Sequence, residues 1–120
     1  MAGPRLFEPI SIRDVTLKNR VVVAPMHQYS AVKGFATDWH LMNAGRYAAG
    51  GAGLVIMEST KVERRGCGTV GDLGIWDDAH IPGLKRCADS SASTTPCRAS
   101  SSAIPAARRG ASVPGRAARR

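Results

Sequence analysis

The residues best suited to bind a ligand form one short segment, Met26 to Ser30, which reads MHQYS. A thioether, an imidazole, an amide, a phenol and a hydroxyl follow one another there, and all of these groups contact ligands in proteins. The segment comes directly after Val21 to Val23, a β-branched run typical of a strand buried on both faces. Ala24 and Pro25 end that strand, because proline has no N–H for a sheet ladder. A polar, aromatic cluster at the carboxyl end of a buried strand predicts a binding site of the α/β type.

The residues after this segment predict the rest of a βαβ unit. Thr37 and Asp38 offer the start of a helix, and Gly50 and Gly51 end it. Leu54 to Met57 predict a second buried strand that ends at Glu58, Ser59 and Thr60, and the crossover should be right-handed. The apolar residues of this helix are predicted to line one of its faces, namely Trp39, Met42, Tyr47 and Ala49.

The flanking segments predict a hairpin before this unit and a second helix after it. Alternating apolar residues from Ile10 to Leu17 indicate two short strands joined at Arg13 and Asp14. Lys61 to Gly71 form a glycine-containing loop of the kind that follows barrel strands where sites are built. Asp77 and Asp78 then begin a helix, with acidic residues at its amino end and apolar residues at Ile81, Leu84 and Cys87.

Three strings together resemble the amino terminus of the old yellow enzyme family: LKNR at 17–20, VVVAPMHQYSA at 21–31 and DWH at 38–40. They are most similar to its bacterial branch of flavin-dependent ene-reductases, and the resemblance runs from Leu6 to about Asp89. It implies a TIM barrel that binds FMN and reduces activated C=C bonds with NADPH or NADH. The predicted fold class is therefore α/β, a partial (β/α)8 barrel made of the hairpin and about two βα units.

The resemblance also implies roles for individual residues. Ala24, Pro25, Met26 and His27 match the segment that lies against the flavin ring, and Ser59 matches a further flavin contact. Tyr29 matches a tyrosine that faces the substrate, which is a small-molecule enone or enoate in the intact family. His27 departs from the pattern, because close relatives carry a cysteine there that adjusts the flavin potential.

Structural alternatives stay open for several of these residues. Met26 could be core packing, His27 a solvated loop histidine, and Tyr29 a packed surface ring. Arg20 could bind a phosphate or could cap the entry of the strand, and the structural role is favoured. His40 is interpreted as a structural histidine.

Length limits what the chain can do alone. A TIM barrel needs roughly 250 residues, and this chain has 120. The pair that binds the substrate carbonyl, the protonating tyrosine and the FMN phosphate site all come from later strands in the resemblance. The sequence therefore assigns no catalytic residue, and it predicts a chain that is inactive alone and retains little flavin.

Composition divides the chain near Asp89. The formal net charge is +8, but residues 90–120 hold six arginines and no acidic residue. That segment is nearly all Ala, Ser, Arg, Pro and Gly, which predicts a disordered tail. Non-specific nucleic-acid binding through its arginines is the alternative function, although no aromatic residue is interleaved for base stacking.

Cysteine usage and hydrophobic runs indicate a reduced, cytoplasmic chain. The three cysteines, Cys67, Cys87 and Cys97, have no metal-type spacing. No run approaches the roughly 20 apolar residues that cross a bilayer, and the start MAGPRLFEP lacks the apolar core of a secretory signal.

The tail also has a genetic interpretation. Allowed codons for Ser90 to Gly110, preceded by one added T and regrouped, read FIRQHNAVPGIQLGHSGRKARR, which matches the family's helix end and third strand. We therefore predict that residues 90–120 are the same gene translated in a shifted frame. The nucleotide sequence of codons 85–120 tests this prediction, and codons that cannot be regrouped in this way contradict it.

Overall fold

The structure is a computed structural model that describes residues 3–94. The chain begins with a 3-10 helix and a hairpin, continues through a βαβ unit, and ends in a long helix. The strands and α-helices are β1 (Ile10–Ile12), β2 (Val15–Leu17), β3 (Val22–Val23), α1 (Asp38–Ala49), β4 (Leu54–Val55) and α2 (Ile81–Thr94). Three 3-10 turns accompany them at Arg5–Phe7, Arg64–Gly66 and Asp78–His80.

The predicted hairpin is confirmed. Strands β1 and β2 pair antiparallel, with Ile12 opposite Val15. Arg13 in the connecting turn has φ +51°, a left-handed conformation that a two-residue hairpin turn requires. Arg20, just beyond the hairpin, is exposed, and its backbone N–H donates to the carbonyl of Leu6 at 2.9 Å. The entry to β3 is thus tied to the 3-10 turn through the backbone of Arg20.

The predicted strand, helix and strand are also present. Strands β3 and β4 pair in parallel, with Val22 opposite Leu54, and α1 connects them. Thr37 is the N-cap of α1, and its backbone N–H donates to Nδ1 of His40 at 3.0 Å. Asn19 fastens the base of the unit, because its side chain bonds both Gly51 O at 2.8 Å and the N–H of Val21 at 3.0 Å.

The prediction that both strands are buried on both faces is wrong. One face is open, with Val22 48%, Leu54 37% and Ile56 44% exposed, whereas Val23 and Val55 on the opposite face are half-buried. Parallel strands are fully buried only when a layer covers each face. In the range 3–94, α1 packs beside the Val23 and Val55 face of this two-stranded sheet, and the opposite face is exposed.

The apolar residues predicted to line one face of α1 do not form its buried face. The residues that this helix buries are His40, Ala44 and Ala48, whereas Trp39 and Met42 are 46% and 51% exposed. Ala44 lines the same groove as Val23 and Val55 of the sheet, and an added Cβ at Gly45 would lie 3.5 Å from the hydroxyl oxygen of Ser90 in α2. Small residues therefore lie where α1 approaches the sheet and α2.

The second helix is present where it was predicted, and it extends further along the chain than expected. Asp77 caps the turn before α2, because its carboxylate accepts the N–H of Ala79 at 2.8 Å, and Leu84 and Cys87 are buried. A small core of Ala31, Leu73 and Leu84 lies beneath it. Helix α2 continues to Thr94, past the predicted boundary at Asp89.

The remaining predictions about the basic tail fall on residues 95–120, which lie outside the described residues. The described part of the chain contains no helix that is long and apolar enough to cross a membrane.

Candidate functional site

The candidate site lies where the two parallel strands end. Because β3 and β4 run side by side, the segment from Ala24 to Ser30 lies next to the segment from Ile56 to Thr60. A small, shallow groove that is open to solvent separates these strand ends from α1. Its walls include residues from the first segment, the helix and the second segment: Ala24, Met26, Gln28, Asn43, Tyr47 and Ile56.

The predicted flavin segment is at the surface. Ala24 and Pro25 are exposed and Met26 is 48% exposed, so the structure contradicts core packing as the role of Met26. Gln28 closes the segment on itself, because its side-chain amide donates to Met26 O at 2.8 Å and accepts from the indole N–H of Trp39 at 3.0 Å. The segment therefore offers a short apolar surface with a fixed backbone.

His27 faces two buried carboxylates. Its Nδ1 lies 3.6 Å from Oε2 of Glu58 and 3.8 Å from Oδ1 of Asp72, while a third of its side chain is exposed. The ring stacks on that of Tyr29, with 5.3 Å between the centroids and 18° between the planes. These contacts place His27 in a polar network, so the alternative of a freely solvated loop histidine does not describe it.

Glu58 is the centre of that network, and sequence analysis missed it as a functional residue. It is 5% exposed, and its Oε2 accepts the backbone N–H of Gln28 at 3.1 Å. Its Oε1 lies 2.9 Å from Nε2 of His40, although the imidazole N–H is poorly aligned with that oxygen. His40 is 1% exposed, in line with its predicted structural role. The sequence did contain a signal for Glu58, a carboxylate directly after an apolar strand. A charge buried at that position needs polar partners, which indicates a polar network.

Asp72 is the second buried carboxylate of the site. It accepts the N–H of Gly68 at 2.9 Å and the hydroxyl of Thr69 at 2.6 Å, and it is 4% exposed. The hydrogen bonds from Thr69 and Gly68 hold the pKa of this carboxyl below its ordinary value, with a smaller contribution from the charge of Lys61. The same lysine has its Nζ 3.9 Å from Oδ2 of Asp72 and donates to the hydroxyl of Ser59 at 2.9 Å. Ser59 is therefore joined to the network through Lys61.

Tyr29 is 63% exposed and has φ +53°, a left-handed conformation that is uncommon outside glycine. Its backbone lies against Gly71, where an added Cβ would be 2.3 Å from Tyr29 O. Two residues further on, Ala31 donates its N–H to Gly71 O at 3.0 Å. The phenol ring is thus exposed to solvent, while the backbone that carries it is held by its contacts with Gly71.

Residues 5–91 match the sequence model of the NADH:flavin oxidoreductase / NADH oxidase family. This chain belongs to that family. It is 48% identical over 82 residues to NADH:flavin oxidoreductase FG08077 of Gibberella zeae, an alignment that covers 68% of this chain and 20% of that protein. It is 47% identical over 87 residues to an NADPH dehydrogenase of Listeria monocytogenes serotype 4a, covering 71% of this chain and 26% of that protein. The chain thus spans about a quarter of the length of these relatives, or less.

Solved structures agree with this assignment. Morphinone reductase superposes with a TM-score of 0.70 at 29% identity, covering 78% of this chain and 24% of that one. The old yellow enzyme homologue from Zymomonas mobilis superposes with a TM-score of 0.65 at 29% identity, covering 76% and 25%. The resemblance to the old yellow enzyme family is confirmed, and so is the fold class of a partial TIM barrel.

The close approach of Gly71 to Tyr29 gives a first prediction. Gly71→Ala should lower the free energy of unfolding by about 1–3 kcal/mol, because the new methyl group meets backbone atoms that cannot turn aside. Urea denaturation followed by circular dichroism measures the change. Gly66→Ala in the same loop is the matched control, because no atom lies within 4 Å of its added Cβ. Equal stability losses in the two variants contradict the prediction.

The lowered pKa of Asp72 gives a second prediction. The folded chain binds fewer protons at this carboxyl than the unfolded chain, in which the pKa is about 3.9. The stabilisation is therefore complete above that value and is lost as the pH falls toward the folded-state pKa. Asp72→Asn should be less stable than the wild type at neutral pH, and its stability should fall less steeply between about pH 5 and pH 3.

Urea midpoints measured across this pH range test the second prediction. Asp14→Asn removes the same formal charge from an exposed turn and serves as the control. An Asp72→Asn curve that runs parallel to the wild-type curve on the acid side shows that Asp72 does not carry the acid sensitivity.

Proposed function

We propose that the segment from Ala24 to His27, together with Ser59, forms one wall of an FMN site in an NAD(P)H-dependent ene-reductase. One observation carries this proposal: an exposed apolar surface and a stacked imidazole–phenol pair lie at the carboxyl ends of two parallel barrel strands. That end is where TIM-barrel enzymes place their active sites. Family membership supports the flavin and the nicotinamide as the classes of cofactor.

The residues present fit the ring portion of a flavin. Ala24, Pro25 and the half-exposed Met26 offer an apolar surface that a planar heterocycle can cover. The strand-end backbone can bond a ring edge without a charged side chain. Ser59 adds a hydroxyl whose oxygen already accepts from Lys61, so that its own O–H is left to donate elsewhere.

The chemistry of the intact enzyme follows from the family. When bound, FMN would accept a hydride from NADPH or NADH and pass it to the β-carbon of an activated C=C bond. The part of this chain is to bind and orient: Met26 and its neighbours support the ring, and His27 and Tyr29 border it. Tyr29, the most exposed of the site's side chains, is proposed to face the substrate.

The substrate class is proposed to be a small-molecule enone or enoate. Two structural relatives are named for small molecules, morphinone in one case and 2-naphthoyl-CoA in the other, which supports a small-molecule substrate. A C=C bond conjugated to a carbonyl accepts a hydride at its β-carbon because the carbonyl takes up the negative charge.

We further propose that this 120-residue chain alone is inactive. The five residues assigned to the flavin are aliphatic, thioether, imidazole and hydroxyl groups that would contact the ring, and none of them supplies a permanent charge for the phosphate. The chain should therefore purify colourless and should not oxidise NADPH. A yellow, NADPH-oxidising preparation contradicts this part of the proposal.

Flavin titration of the full chain tests the site itself. We expect weak, saturable binding, with similar affinities for FMN and for riboflavin, which lacks the phosphate. Met26→Ala should weaken both about threefold to tenfold, because roughly 1 kcal/mol of apolar contact is lost. Flavin fluorescence quenching measures the dissociation constants.

Met42→Ala is the matched control, because Met42 is 51% exposed on α1 and Met26 is 48% exposed. No saturable binding of either flavin overturns the proposed site. Equal effects of the two substitutions overturn the assignment of Met26, and much tighter binding of FMN than of riboflavin shows a phosphate site that the proposal lacks.

A further inference from the structure

We propose that Glu58 and Asp72 are positioning residues that hold His27 in the tautomer with its proton on Nδ1, leaving Nε2 as a hydrogen-bond acceptor for a ligand. The identity of that ligand as a flavin rests on the proposed function. The tautomer of His27 is inferred only from contacts within the chain. An experiment can therefore contradict the tautomer and the flavin assignment separately.

The neighbours of His40 determine its tautomer. Its Nδ1 accepts the backbone N–H of Thr37 at 3.0 Å, so that nitrogen carries no proton in the neutral ring. The proton of neutral His40 is therefore on Nε2, which faces Oε1 of Glu58 at 2.9 Å. Oε2 of Glu58 accepts the N–H of Gln28 from the loop, while its Oε1 faces the imidazole N–H from α1 without a well-aligned hydrogen bond. Both oxygens thus face N–H groups.

Asp72 is an acceptor for the same kind of reason. Its Oδ2 takes the N–H of Gly68 and its Oδ1 takes the hydroxyl of Thr69. Both oxygens therefore already accept hydrogen bonds from neighbours, which favours the ionised carboxylate. Its pKa, lowered by these hydrogen bonds, agrees with this geometry.

His27 lies between these two acceptors. Its Nδ1 is 3.6 Å from Oε2 of Glu58 and 3.8 Å from Oδ1 of Asp72. A lone pair on Nδ1 would face two carboxylate oxygens and be repelled, whereas an N–H there is attracted by both. The distances exceed a direct hydrogen bond, so the attraction is electrostatic or passes through a bridging water. Direct electrostatic attraction requires the proton on Nδ1, and a water that accepts from Nδ1–H and donates to a carboxylate is compatible with the same tautomer.

The other charged and aromatic groups around the ring do not reverse this preference. Lys61 lies 3.9 Å from Oδ2 of Asp72, on the oxygen that does not face His27. It offsets one of the two carboxylate charges and leaves the other. Tyr29 stacks on the ring face and fixes its plane without contacting Nδ1 by a hydrogen bond. The exposed edge of the imidazole therefore presents the unprotonated Nε2, which selects a ligand that offers an N–H or O–H.

The two other histidines of the chain provide internal references for a direct test. Both ring nitrogens of His80 face carbonyls, which can only accept: Nδ1 lies 3.0 Å from Asp77 O and Nε2 lies 3.4 Å from Lys33 O. The shorter contact favours the proton on Nδ1 in neutral His80. His40 represents the opposite tautomer. Long-range proton–nitrogen NMR spectra of the full ¹⁵N-labelled chain distinguish the two forms at about two pH units above the ordinary imidazole pKa of 6.5. Loss of one set of signals in His27→Asn assigns the His27 resonances.

We expect the His27 nitrogen shifts to match those of His80 and not those of His40. A His27 ring with its proton on Nε2 overturns the inference, and this wild-type measurement needs no variant to fold. The double variant Glu58→Gln, Asp72→Asn should shift His27 toward the Nε2–H form that free histidine favours, with His80 unchanged. Glu63→Gln, at an exposed carboxylate of the same loop, should leave His27 unchanged. A folded double variant that keeps the proton on Nδ1 shows that the two carboxylates do not set the tautomer.

Addition of riboflavin separates this inference from the proposed function. If Nε2 contacts the flavin, its nitrogen resonance should shift on saturation, while the nitrogen resonances of His40 and His80 stay in place. A saturated complex with an unshifted His27 overturns the presentation of Nε2 to the flavin. Absence of saturable binding overturns the flavin site, and the tautomer measurement then still decides the role of Glu58 and Asp72.

Discussion

A buried carboxylate sets the arrangement of this site. Removing an ionised carboxylate from water costs several kcal/mol unless donors and opposite charges compensate. Glu58 is 5% exposed at the end of β4, and it receives the N–H of Gln28 while facing the imidazoles of His27 and His40. Those partners come from the loop after β3 and from α1. The buried charge is therefore stable only when strand, loop and helix are together, which makes Glu58 the point where the fold and the site depend on each other.

The parallel pairing of the strands explains why this point lies at one edge of the sheet. The register that sets Val22 opposite Leu54 brings Gln28 and Glu58 together from 30 positions apart in the chain. Two layers of polar groups result at the carboxyl edge. Glu58 and Asp72 form the buried layer, and His27 and Ser59 form the exposed layer above it. A site supported in this way holds its contacting groups more precisely than a loop with no such support.

Local signals in the sequence are sufficient wherever local physics decides the structure. Thr37 and Asp77 start helices because each supplies a capping group near the first turn, and Gly50 ends α1 as expected. The buried face of α1 could not be predicted in this way, because it depends on which elements pack against the helix: Ala44 lies beside the sheet and Gly45 beside α2. The roles of Glu58 and Asp72 were not predictable either, since their partners come from other elements of the fold. Whether a face of the sheet is exposed depends on which other elements pack against it. The sequence of the strands alone does not contain that information.

The conformation of Tyr29 shows how the exposed pair of rings is maintained. A non-glycine residue at φ +53° costs about 1–3 kcal/mol and persists only where its surroundings determine it. On one side Ser30 donates its hydroxyl to Gln28 O at 2.8 Å, and on the other Ala31 is bonded to the backbone of Gly71. These bonds hold the turn that brings the phenol over the imidazole of His27. Because the His27 ring is oriented from beneath by carboxylates and from above by Tyr29, the two side chains act as one unit, and the strained turn at residue 29 is part of what fixes the histidine.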